Sequence, residues 1–247
     1  MSNLRRITVQ RASAITIALC GLLGLLEAAV AQVGHRPESS PYNDLRARRV
    51  LSFESGYLTG SSGSAKVGPG SGVYGGAKFD LHISGPAALS FGAGVAQLER
   101  IIIDPRFGPE NRTLDTATQS IILLDAGFDM LLTGEKTWRG LVPYFGAGLG
   151  MALGTGVEAD SLSGFKFSAN FTFGPKIGIW IHPSDRITFR LEAKDIMWQL
   201  GYPDGFFTAP EFEPTAPPVL DPNVTKDKQW VHHIGLTLRI GYTLGRL

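Results

Sequence analysis

Three residues of this chain have the types that hydrolytic chemistry uses. His82 and Ser84 stand two apart in the tripeptide His82-Ile83-Ser84, and Glu99 follows further on. In a hydrolase an imidazole takes the proton of a serine hydroxyl and a carboxylate orients the imidazole. A second pair, His232 and His233, is of metal-ligating type. Neighbours on a strand point to opposite sides, so these two cannot share one ion without a bulge. A third set is purely ionic: Glu54, Lys78, Asp80, Asp125, Asp129, Lys166, Lys176, Arg190, Glu192, Lys194 and Arg239. Each falls opposite the oily positions of a long alternating stretch. Both signs are present, which fits a network of salt bridges across an enclosed lumen. No nucleotide loop, metal cluster or triad spacing is present, and no cofactor is expected.

The elements that must carry these charges are strands. In FKFSANFTFGPKIGIWIHPSD, residues 165 to 185, apolar residues hold the odd positions through Ile181, and polar or small ones hold most of the even positions. A period of two is the mark of a strand with one oily face. The same period predicts eight strands: Arg48 to Thr59, Ser71 to Ile83, Ala87 to Ile102, Thr116 to Leu132, Leu141 to Thr155, the stretch just quoted, Arg186 to Leu200 and Gln229 to Leu244. The seventh changes phase near Asp195, which calls for a bulge or the end of an apolar belt, with Trp198 and Leu200 then on the oily side. Short turns alternate with long loops, the longest from Tyr202 to Lys228. That alternation is the pattern of a closed up-and-down meander.

Three features point the oily face outward, toward lipid. The strands are long: Trp230 to Leu244 covers about 46 Å at roughly 3.3 Å per residue. Tilted by about 45°, that spans the roughly 25 Å apolar band of an outer membrane. The polar face is rich in glycine, at Gly92, Gly94, Gly146, Gly148, Gly150, Gly235 and Gly241. A narrow barrel needs such economy to enclose long charged side chains. Aromatics gather near strand ends, with Tyr57, Phe165, Trp198, Tyr202 and Trp230 toward the loops and Phe79, Trp138 and Tyr242 toward the turns, as in membrane girdles. A soluble lipocalin also has eight antiparallel strands, but it adds a helix after the last one. The expected fold class is therefore all-β, an eight-stranded antiparallel up-and-down transmembrane β-barrel.

The chain has 247 residues, 23 basic and 22 acidic, which leaves no electrostatic footprint for nucleic acid. Arg5, Arg6 and Arg11 precede an apolar run from Ala14 to Leu26, and Ala29-Val30-Ala31 is a small-x-small cleavage site. Residues 1–31 read as a secretory signal peptide, 32–47 as a short polar tail and 48–247 as the barrel. The one cysteine, Cys20, lies within that leader, so the exported chain would have no disulfide.

At its C-terminal strand the chain resembles the small eight-stranded outer-membrane barrels of Gram-negative bacteria, of the OmpA, OmpX and OmpW type. Their assembly signal is a polar residue, a glycine two on, and hydrophobic residues three and five beyond the glycine. His233, Gly235, Leu238 and Ile240 fit it. The resemblance implies residence in the outer membrane among its lipids, insertion by the barrel-assembly machinery, and periplasmic turns. The His-x-Ser tripeptide separately resembles that of the lipid A deacylase PagL.

Several functions follow from one fold. A non-enzymatic barrel with a plugged lumen is the leading expectation. A small-solute, porin-like conduit and a PagL-like lipid A-modifying enzyme are the alternatives. The Tyr202–Lys228 loop, with Phe206, Phe207 and Phe212, either serves recognition of an extracellular ligand or folds over the barrel mouth.

Overall fold

In the computed structural model the described residues are 40–155 and 160–245. The expected leader lies outside them, as does the first half of the polar tail, residues 32–39. Eight long strands form the wall: β2 (Arg49–Gly60), β3 (Gly72–Ser84), β4 (Ala87–Ile103), β5 (Thr113–Leu131), β7 (Leu141–Gly154), β8 (Ala169–Ile181), β9 (Ile187–Gly201) and β10 (Lys228–Thr243). Each pairs antiparallel with its neighbours in sequence. The first and last then pair from Gly60↔His233 to Val50↔Thr243, which closes the ring. The chain is a closed up-and-down barrel.

Two short strands were not legible as alternation. β1 (Tyr42–Asp44) pairs with β6 (Lys136–Trp138) beside the β5–β7 turn. The last residues of the tail thus belong to the barrel's turn end. Leu45 and Ala47 are buried there with Val50, Ala88, Leu131, Val142, Tyr144 and Trp180. A single helical turn, α1 (Asp160–Ser163), precedes β8.

The two faces of the wall separate by chemistry. Phe53, Leu149, Ile177, Leu236 and Ile240 point out and are each more than half exposed. Glu54, Lys78, Asp129, Glu192 and Arg239 point in and are buried. A soluble protein rarely exposes so continuous an apolar surface. A closed barrel also satisfies the backbone groups that such a surface would otherwise strand in hydrocarbon.

Three expectations need correction at the loop end. β8 starts at Ala169, and residues 164–168 are outside any strand. There Phe165 and Phe167 are buried while Lys166 is exposed, the reverse of the expected phase. β9 does not change phase: its register with β10 is constant from Lys228↔Gly201 to Tyr242↔Ile187. Trp198 and Leu200 therefore point into the barrel and are buried. Phe165, Trp198 and Tyr202 belong to an internal core, not to a girdle. Tyr57, Trp230, Trp138 and Tyr242 do stand exposed near strand ends. The physical reason is that the barrel interior is itself apolar at this end, so an inward residue need not be polar.

Candidate functional site

The lumen is built in three layers. At the turn end lies the small apolar cluster that includes Leu45, Val142 and Trp180. At the loop end lies a larger one, with Leu58, Tyr74, Leu98, Ile121, Trp198 and Leu200 from the wall. Phe206 and Leu220, from the long loop, complete it. Of the two readings of that loop, the structure adopts the fold-over for Phe206. Phe212 remains exposed, its ring 4.9 Å from that of Phe107.

The loop is tied down by a second loop, between β4 and β5. Asp104 accepts from Arg106 Nη2 at 2.6 Å, and this bond holds the Asp104 carboxyl below its ordinary pKa. The Arg106 guanidinium lies 5.4 Å from the Phe212 ring centroid. Asn111 donates to Glu213 and Arg112 to the Pro217 carbonyl, both at 3.0 Å.

Between the apolar layers sits the charged one. Arg239 is its hub: its Nη2 bonds Glu192, and its Nε lies 3.2 Å from Glu54 Oε2. Lys78 Nζ is 2.7 Å from Asp125, and Lys176 Nζ is 2.6 Å from Asp129. Arg190 joins Asp80 at 3.1 Å and Asp129 at 3.3 Å, with its guanidinium 3.7 Å from the Trp180 ring centroid. Lys194 lies 3.9 Å from Glu54 and 4.3 Å from the Tyr74 ring centroid. Tyr74 donates to Glu54, and Tyr144 donates to Glu192 at 2.6 Å. Five cations and five carboxylates thus meet in one layer and neutralise one another.

Glycine makes this packing feasible. A Cβ at Gly127 would lie 2.4 Å from Lys176 Nζ and 2.6 Å from Ser90 Oγ. One at Gly92 would lie 2.7 Å from Asp125 Oδ1. The layer leaves a cavity of about 50 Å³ beside Asp125, Lys176 and Lys194, room for only a few waters.

Of the eleven residues expected in the lumen, Lys166 alone is elsewhere, exposed at the loop end. The expected assembly-signal residues divide by face. His233 and Gly235 point in and are buried, while Leu238 and Ile240 point out. His232 and His233 do point to opposite sides. His232 Nδ1 meets Asp195 Oδ2 at 2.7 Å, and His233 Nε2 meets the Pro69 carbonyl at 2.8 Å.

The hydrolytic set does not assemble. His82 is buried at the turn end, its Nε2 2.8 Å from the Gly85 carbonyl. Ser84 is exposed. His82 pairs with Ala88 of β4, and Glu99 lies eleven residues further along that strand. At roughly 3.3 Å per residue that is about 36 Å away. Sequence reasoning missed the apolar plug, because Trp198, Leu200 and Phe165 were assigned to the lipid face. The signal that would have found it is the unbroken even-position run Lys194, Ile196, Trp198, Leu200.

No family model matches the chain, and no curated protein matches it. Among solved structures it is similar to Neisserial surface protein A, at 11% identity over 79% of this chain and 97% of that one, with a TM-score of 0.47. It is similar to the outer membrane protein OprG from Pseudomonas aeruginosa, at 11% identity over 82% and 100%, with a TM-score of 0.47. A third is the N-terminal β-barrel domain of Pseudomonas aeruginosa OprF, at 12% identity over 78% and 96%, with a TM-score of 0.38. Likenesses at this level add nothing to the strand pairings, on which the barrel stands.

Proposed function

We propose that the protein is an integral outer-membrane barrel without enzymatic activity. It is exported by its N-terminal segment, its lumen is closed, and its loops are its working face. The observation that carries this reading is the inversion of the wall: apolar side chains cover the outside of a closed barrel while its ion pairs are buried inside. The reading is supported further by the plugged lumen. A solute would have to cross the Trp198–Phe206 layer, break a neutral charge network, and cross the Val142–Trp180 layer. The separation of His82 from Glu99 favours a non-enzymatic role over the deacylase alternative.

The test is fractionation, a heat-modifiability gel and planar-bilayer recording on one preparation. The expected result is recovery with outer membranes, a folded form that migrates differently from the boiled one, and no large, steady single-channel current. Recovery wholly in the soluble periplasm would overturn the membrane reading. Large, steady currents would overturn the closed lumen and favour a porin-like conduit, with Lys78, Asp125 and Arg190 setting ion preference.

A further inference from the structure

The β8–β9 seam differs from the others in the wall. From Ile181↔Phe189 to Lys176↔Lys194 the strands pair normally. The ladder then skips Gly174 and Pro175, resumes once at Phe173↔Met197, and ends. Yet β8 continues to Ala169 and β9 to Gly201. Proline contributes to this, since it has no N–H to donate. The wall is therefore parted over its loop-end portion.

A cavity of about 230 Å³ lies in that parting. Lys166, Lys228, Asn170 and Gln199 line it above Phe165 and Leu200. Among the described residues no carboxylate lines it, and the ammonium of neither lysine has a hydrogen-bond or ion-pair partner. The cavity is open: a Cβ added at Gly201 would meet nothing within 4 Å. Just below it, on the outer surface, runs an aromatic strip. The Phe171 and Phe173 rings are 6.1 Å apart, and the Phe173 and Trp230 rings 5.3 Å apart. All three are exposed. Trp230 stands two residues from Lys228, so the strip begins where the cationic notch ends.

A lysine pair with no counter-ion among the described residues, directly above an apolar strip, is complementary to an amphiphile with an anionic head. An exposed tryptophan marks the interface level, and lysines one step beyond it reach the depth of lipid phosphates. We infer that the β8–β9 parting is a binding site for a phosphorylated, acylated glycolipid of the outer leaflet, a lipid A-type molecule. Its phosphate sits between Lys166 and Lys228, and an acyl chain lies along Phe171, Phe173 and Trp230. This inference rests on the outer-membrane reading above.

The experiment uses the full exported chain in phosphatidylcholine nanodiscs doped with bisphosphorylated lipid A, its dephosphorylated form, or phosphatidylglycerol. Retained lipid is read by native mass spectrometry after release into detergent. Wild type should retain bisphosphorylated lipid A over both others. Lys166→Glu and Lys228→Glu should each weaken retention by at least about fivefold, the scale of one interfacial cation. Gly201→Trp, which fills the open cavity beside Lys228, should abolish it. Lys226→Glu, on the same loop but outside the cavity, should leave it unchanged.

Retention unaffected by Gly201→Trp, or equal retention of the dephosphorylated lipid or of phosphatidylglycerol, would overturn the inference. Each variant is first checked for heat-modifiable migration, so that lost binding is not lost folding. Failure of the wild-type barrel to enter nanodiscs at all would instead sink the membrane reading. Insertion without lipid retention would sink only the site.

Discussion

Lys176 Nζ lies 2.6 Å from Asp129 Oδ1, joining β8 to β5 across the inside of β7, and both side chains are almost wholly buried. Asp129 also lies 3.3 Å from Arg190. One carboxylate therefore serves two cations. Burying such groups costs about as much as their attraction returns, so the layer is better read as fixing the packing of the lumen than as a net source of stability.

Removing one partner is a different matter, because the other charges remain buried. Asp129→Ala should destabilise the barrel by about 3 to 5 kcal/mol. Adding Lys176→Met should restore part of that loss. The measurement is urea unfolding of protein folded into lipid vesicles. Equal stability of Asp129→Ala and wild type would show that water reaches the layer freely.

The outward face makes a depth-dependent prediction. Leu236 is exposed near the middle of β10, and Tyr242 near its end. Leu236→Arg should cost about 2 to 4 kcal/mol in a bilayer, and Tyr242→Arg at most about 1. The same vesicle unfolding assay reads both. If the two costs were equal, β10 would not cross the apolar band as described.

His182 sits in the β8–β9 turn, beyond the spanning segments. Burial pushes its pKa down to about 4, and the charge of Arg190 acts in the same direction. The unfolded imidazole takes up its proton near pH 6.5, the folded one only near 4. Between those values the unfolded chain binds more protons, so stability falls as the pH falls through that window. His182→Gln removes the titration. The wild-type stability, taken as a difference from this variant, should decline from pH 6.5 to 4 and level off below. Carboxylates of the same end, such as Asp185 and Asp44, cancel in that difference. A difference independent of pH would mean that His182 is freely solvated.

Much of this fold is legible in the sequence because the wall is two-faced. Where lipid lies outside and charges inside, alternation reports both, and the strands containing Lys78, Asp125, Arg190 and Arg239 are read with little error. Alternation fails where inside and outside have the same polarity. At the loop end Trp198 and Leu200 are apolar and inward, so they look like lipid-facing residues in a strand that has changed phase. Lys166 is misplaced for the complementary reason: it lies in a segment that is no longer strand, where period two carries no meaning. The ion pairs needed only the phase to be gathered into one layer. Their partners depended on register between strands far apart in the sequence, as with Lys176 and Asp129, and no local pattern encodes that.

Orientation is the remaining consequence of the reading. If the turns lie in the periplasm, the plug of Phe206 and Leu220 faces the outside and β1, β6 and the segment at Leu45 face inward. Thr215, on the long loop, and Ser184, on the β8–β9 turn, are both exposed and lie at opposite ends of the barrel. The chain's only cysteine is Cys20, in the expected leader, so an introduced cysteine would be the sole thiol of the exported protein. Thr215→Cys should react with a membrane-impermeant maleimide on intact cells, and Ser184→Cys only after the outer membrane is permeabilised. Both should react in detergent, which shows that each site is accessible in the folded barrel. Labelling of Ser184→Cys on intact cells, with Thr215→Cys protected, would invert the topology and place the β8–β9 parting in the inner leaflet, away from any lipid A.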